Sequence, residues 1–157
     1  MDGTLTDGQV TYAGNAEEAN LELQSFCVRD GQGLVWLRRA GIQVVWITGR
    51  GCAATRRRAQ ELGIVRLVEK SGPKDGILEG IQNELSLGPD RTLAMGDDLP
   101  DLRLFARAAV SAAPADAMAS VLAAADLHTR APGGRGAVRE ICDQLLDARS
   151  GGVDPRS

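Results

Sequence analysis

The sequence predicts an α/β fold: a parallel sheet with helices on both faces, in a doubly wound, Rossmann-like layout. Three observations predict it. From about Gly31 onward, apolar residues at helical spacing alternate with short β-branched runs. Each change is punctuated by Gly, Pro or Asp. The run Ile42-Gln43-Val44-Val45-Trp46-Ile47 is almost wholly apolar, as suits a parallel strand covered on both faces.

The elements follow in order. Residues 9–12 and 21–26 read as two strands of a β-hairpin spanning 9–28, joined across Gly14-Asn15 and standing off the sheet. On its second strand Leu21, Leu23 and Ser25 face opposite to Glu22 and Gln24. Asp30 is predicted to cap a helix running to about Ala40, with Gly41 as its stop. The 42–47 strand comes next, then a helix over 52–62 closed by Gly63, and a short strand over 65–68. A helix over 74–85 ends before Leu87-Gly88-Pro89-Asp90. Thr92-Leu93-Ala94-Met95 is a strand, 100–108 a helix, 109–112 a strand, and 115–125 and 137–148 are helices. One domain over 1–149 is expected, with 150–157 a disordered tail because it is polar and carries Gly-Gly and Pro.

Composition narrows the function. Against 18 basic residues stand 21 acidic ones, for a net charge of −3, which disfavours a phosphate-backbone grip on nucleic acid. The densest basic run, Arg56-Arg57-Arg58, sits inside a helical pattern. No apolar stretch reaches the ~18–20 residues that span a bilayer, and the first residues lack the regions of a signal peptide; a cytoplasmic location is expected. Cys27, Cys52 and Cys142 are odd in number and widely spaced, so reduced thiols are expected rather than a disulfide framework or a zinc site. His128 is the only histidine, which leaves Ser-His or Cys-His catalysis without a partner motif.

The carboxyl ends of the inferred strands gather a polar set: Thr48-Gly49-Arg50 after one, and Gly96-Asp97-Asp98 with Asp101 after another. Lys74 begins a helix beside them, and Asp2-Gly3-Thr4 reads as the remnant of a further strand end. Ligands bind at such strand ends in open α/β sheets. Carboxylates beside a hydroxyl, an Arg and a Lys describe a Mg²⁺ site adjoining a phosphate site, because Mg²⁺ takes hard oxygen ligands and shares them with substrate phosphate.

Six pieces in this order resemble the haloacid dehalogenase phosphatase superfamily. They are Asp2-Gly3-Thr4-Leu5-Thr6-Asp7-Gly8, Phe26-Cys27-Val28-Arg29-Asp30-Gly31-Gln32-Gly33, Ile47-Thr48-Gly49-Arg50, Lys74, Gly96-Asp97-Asp98, and Gly133-Gly134-Arg135-Gly136-Ala137-Val138-Arg139-Glu140. Within the superfamily they look like the capless phosphatases acting on 3-deoxy-D-manno-octulosonate 8-phosphate and related sugar-acid phosphates. The resemblance implies two-step phosphoryl transfer through an aspartyl-phosphate. Asp2 would be the general acid/base, Thr48 and Lys74 the phosphate holders, and Asp97 a Mg²⁺ ligand along with the Asp2 carbonyl and, further out, Asp98. Arg29, Asp30, Gly49, Arg50 and Arg58 fall where the subfamily contacts its sugar acid. Arg135 lies in a stretch that in relatives reaches a neighbouring subunit, and a homotetramer with packed hairpins is implied.

The resemblance also exposes two departures. The superfamily nucleophile stands two residues before Asp2, upstream of Met1, so the central strand that carries it is expected to be missing from this sequence. A gap between neighbouring strands is the predicted consequence. Cys27 and Val35 stand where octulosonate phosphatases carry Asn and Arg, which leaves nonulosonate 9-phosphates open as substrates. The alternative reading is an inactive binding or oligomerisation module with the same fold, as in relatives fused to sialic-acid-activating enzymes.

Overall fold

The computed structural model describes residues 1–14, 21–70, 72–149 and 154–156. The joining turn of the predicted hairpin and most of the predicted tail lie outside the described residues. The hairpin itself is present: β1 (Thr11–Ala13) pairs antiparallel with β2 (Leu21–Leu23), Tyr12 opposite Glu22. β2 is shorter than expected because residues 24–27 turn inward to the body of the molecule.

The body begins with α1 (Val28–Arg39), followed by β3 (Val45–Ile47), α2 (Ala53–Leu62) and β4 (Arg66–Val68). Gly63 ends α2 at φ 65°, a left-handed conformation that glycine adopts without Cβ strain. β3 and β4 pair in parallel, Trp46 beside Leu67. The second half holds α3 (Lys74–Glu84), β5 (Leu93–Met95), α4 (Leu102–Phe105), β6 (Val110–Ala113), α5 (Ala119–Ala124), β7 (Leu127–His128) and α6 (Ala137–Asp147). β5, β6 and β7 form a parallel sheet in that order.

Two helices were expected to be longer, the 42–47 strand contracts to β3, and one strand was unforeseen. The 100–108 helix divides into a 3-10 turn over Leu99–Asp101 and the short α4. The 115–125 helix contracts to α5, since residues before it are tied elsewhere: Asp116 Oδ1 accepts from the Gly133 amide at 2.8 Å. β7 is too brief to carry a periodic signal, and it is held by tertiary pairing with Ala112 and Ala113.

Asp30 requires a correction. α1 starts three residues earlier, with Cys27 as a cap that contributes no side-chain bond. The Asp30 carboxylate instead reaches the first turn of α6, whose own cap residue, Gly136, has no side chain to offer. Burial pushes the Asp30 carboxyl up from its ordinary range, while the amides of Arg139 and Gly136 pull it down.

α1 and α6 pack closely. A Cβ added at Gly33 would meet the Cβ of Cys142 at 2.9 Å, and the Arg139 guanidinium lies 4.1 Å over the Trp36 ring. Leu34, Leu37, Trp46, Leu62, Val138, Cys142 and Leu146 form the main core.

The predicted gap is there. No backbone hydrogen bond joins β3 to β5 among the described residues. Between the two half-sheets lies a slot of about 260 Å³, faced by Val44 and Trp46 on one side and by Leu93 and Met95 on the other. Leu78 and Ile81 of α3, and Val138 and Ile141 of α6, also line it.

Candidate active site

Both half-sheets end their strands at one polar cleft of about 260 Å³, bordered by Asp2, Gly3, Thr48, Gly49, Arg50, Lys74, Asp97, Asp98 and Asp101. Thr48 follows β3 and is buried; its hydroxyl donates to Asp2 Oδ2 at 2.7 Å and its oxygen accepts from the Arg50 amide at 3.1 Å. The other oxygen of Asp2 accepts from Gln24 Nε2 at 3.2 Å.

Asp97 follows β5, and its Oδ1 accepts from the Thr4 hydroxyl at 2.9 Å. A side chain at Gly3, which sits at φ 78°, would collide with the Asp97 carboxylate. Glycine there lets the carboxylate lie directly against the backbone of the Asp2–Gly3 turn. Burial pushes the Asp97 carboxyl up, and the Thr4 hydrogen bond opposes that shift.

Lys74 opens α3 and pairs with Asp101 at 2.5 Å, both side chains nearly buried. Asp101 Oδ2 also accepts from the amides of Asp97 (3.0 Å) and Asp98 (3.3 Å), so it fixes the loop that carries both acids. Burial alone would raise the Asp101 carboxyl, but the hydrogen bond and charge of Lys74 more than offset it and hold the group below its usual range.

The sequence-predicted residues therefore divide. Asp2, Thr48, Gly49, Arg50, Lys74, Asp97 and Asp98 meet in one cleft. Arg29, Asp30, Arg58 and Arg135 do not border it. Arg29 is exposed and its Nη2 donates to the Arg135 carbonyl at 3.5 Å. Arg58 pairs with Glu61 at 3.2 Å. Arg135 is exposed, while its flanking glycines have a packing role: the Gly134 amide donates to the Thr4 carbonyl at 2.9 Å.

The expected Mg²⁺ ligands are Asp97 and the Asp2 carbonyl, with Asp98 further out, so no cage of three side chains is called for. Among the described residues no three acidic, His or Cys side chains converge as a metal cage. The Asp2 carboxylate is engaged by Thr48 and Gln24, and Asp98 Oδ1 accepts from the Leu99 amide at 2.7 Å. The donor set still suits Mg²⁺, which binds through one or two carboxylates and otherwise keeps water and substrate phosphate. Asp97 and the adjacent backbone supply hard oxygens of that kind.

Sequence reasoning left out Gln24, whose partners come from distant parts of the chain. Arg50 is held by the hairpin, its Nη2 lying 3.2 Å from Glu22 Oε2 and 3.4 Å from the Tyr12 hydroxyl.

The model for haloacid dehalogenase-like hydrolases matches residues 60–140. The 3-deoxy-D-manno-octulosonate 8-phosphate phosphatase of Escherichia coli K12 is 38% identical over 149 residues, covering 95% of this chain and 77% of that protein. This chain belongs to the haloacid dehalogenase-like hydrolases. Among solved structures of the family, the octulosonate phosphatase of Moraxella catarrhalis, in complex with magnesium, phosphate and KDO, superposes with a TM-score of 0.88 at 38% identity, covering 94% of this chain and 83% of that one. The cobalt-bound enzyme of Haemophilus influenzae gives a TM-score of 0.86 at 38% identity, over 94% and 84%. The haloacid dehalogenase fold accounts for the parallel strands ending at one acidic cleft. No helix among the described residues is long and apolar enough to cross a membrane.

Proposed function

We propose that this protein is a Mg²⁺-dependent phosphatase hydrolysing a sugar-acid phosphate, with 3-deoxy-D-manno-octulosonate 8-phosphate as its substrate. The observation that carries the reading is the convergence of Asp2, Thr48, Lys74 and Asp97 in one cleft. Relatives at 38% identity act on that sugar phosphate, and the meeting of these polar groups from separate elements in one cleft weighs against a module kept for assembly.

The family resemblance implies an Asp nucleophile two residues before Asp2, a position this sequence does not include, and that Asp would take the phosphoryl group. As the ester P–O bond breaks, the Asp2 carboxyl passes its proton to the departing sugar oxygen; Asp2 then accepts a proton from the water that releases phosphate. Thr48 and Lys74 hold the transferring oxygens and offset their negative charge. Asp97 and the Asp2 carbonyl, with Asp98 further out, would hold Mg²⁺, which would supply Lewis-acid neutralisation of the phosphoryl group. Arg50 suits the sugar carboxylate through a bidentate pair. Arg135, away from the cleft of a single chain, fits a site completed by a neighbouring subunit of a homotetramer in the cytoplasm.

The test is phosphate release by the chain carrying the nucleophile segment. Asp97→Asn should abolish Mg²⁺-dependent release, and turnover that persists in this variant would sink the assignment.

A further inference from the structure

We propose that Gln24 is a positioning residue for Asp2, orienting the carboxyl group that transfers the proton; the proposal rests on the phosphatase reading. Gln24 follows β2, where the hairpin strand returns to the body. Its Oε1 accepts from the Thr55 hydroxyl at 2.6 Å and from Cys52 Sγ at 3.3 Å. Both donors belong to the start of α2, and both are buried. With its carbonyl end claimed twice, the amide presents Nε2 to Asp2 Oδ1 at 3.2 Å. The flipped amide would set two acceptor oxygens against each other at that distance. With Asp2 ionised the network therefore selects the orientation in which Gln24 is the donor.

Asp2 needs such a donor. The terminal torsion of an aspartate is broad and roughly two-fold, so a carboxylate gripped at one oxygen still turns. Thr48 holds Oδ2 from the end of β3, and Gln24 holds Oδ1 from the hairpin. Gripped from two sides, the carboxyl plane is fixed where proton transfer to a leaving oxygen demands alignment. A role confined to anchoring the hairpin is a weaker account, because Glu22 and Tyr12 already tie the hairpin to Arg50.

The test exploits the leaving group. A sugar alkoxide must be protonated as its P–O bond breaks, whereas p-nitrophenolate departs without help. In the full-length, Mg²⁺-loaded chain, kcat/KM reports the step up to departure of the alcohol. Gln24→Leu should lower kcat/KM for the sugar-acid phosphate about ten-fold or more, within the span ascribed to general-acid catalysis, and change that for p-nitrophenyl phosphate by no more than about two-fold. Thr55→Val, which frees the amide while keeping shape and Gln24 itself, should give a smaller loss with the same selectivity. Equal losses on both substrates, or no loss on either, would overturn the proposal. A wild-type chain inactive on both substrates would instead overturn the phosphatase reading, and this proposal with it.

Discussion

Asp30 Oδ1 accepts a hydrogen bond from the Arg139 amide at 2.8 Å, so a residue of α1 closes the amino end of α6 across 109 positions of sequence. Its other oxygen takes the Gly136 amide at 3.2 Å. Because Gly136 supplies no side chain, the first turn of α6 depends on this donated cap. Asp30→Ala should therefore cost about 2–3 kcal/mol, a lost cap plus stranded buried amides. Asp30→Asn, which keeps one acceptor, should cost about half as much. Urea midpoints at unchanged slope would check both, and an unchanged midpoint for Asp30→Ala would refute the capping role.

Cys142 lies beneath that cap. Burial, reinforced by the charges of Asp30 and Asp143, pushes its thiol from an ordinary 9 up to about 12. Between these values the unfolded chain releases the proton while the native protein retains it. Stability contributed by this group is thus intact below about pH 9 and falls as pH rises toward 12. Thiol labelling of the native protein near neutral pH should reach the half-buried Cys27 and spare Cys142 until unfolding. Rapid native labelling of Cys142 would contradict this packing.

On the proposed reading, the Lys74–Asp101 pair couples catalysis to folding. Lys74→Ala should lower phosphate release by orders of magnitude, but it also leaves a buried carboxylate without its cation, at about 3–5 kcal/mol. The double variant Lys74→Gln/Asp101→Asn replaces the pair with neutral amides. It should recover most of the stability seen by thermal melting and none of the turnover. Recovery of turnover would remove Lys74 from the phosphate site.

The hairpin exposes Tyr12, Leu21 and Leu23, at 61%, 59% and 45% of their full accessibility. An apolar patch of this kind fits the implied packing of hairpins between subunits. Light scattering should return a tetramer mass for the protein and a smaller species for Leu21→Asp/Leu23→Asp. A monomeric wild-type mass would remove the shared-site role of Arg135.

Much of the site was legible because parallel strands deliver their carboxyl ends to one edge. Thr48, Asp97 and Asp98 could be located by following apolar runs to their polar ends, and Lys74 by the helix it opens. Asp30 was read correctly as a cap but for the wrong helix: local sequence offered α1, while its bonding partners stand more than a hundred residues away. Gln24 was visible only as one face of an alternating strand, since nothing local signals that an amide will meet a threonine 31 residues on. The slot between β3 and β5 was legible only through the family resemblance, which places a strand ahead of Asp2 at the centre of the sheet.

That slot has a mechanical consequence. Thr48 follows β3 and Asp97 follows β5, so the reach from the hydroxyl proposed to hold phosphate to the carboxylate proposed to hold the cation spans the two banks of the slot. The helices that line both banks, α3 through Leu78 and Ile81 and α6 through Val138 and Ile141, bear on that reach. Substitutions remote from the chemistry, such as one added or removed methylene at Leu78 or Ile141, would then register first as altered phosphate affinity, before any measurable loss of fold.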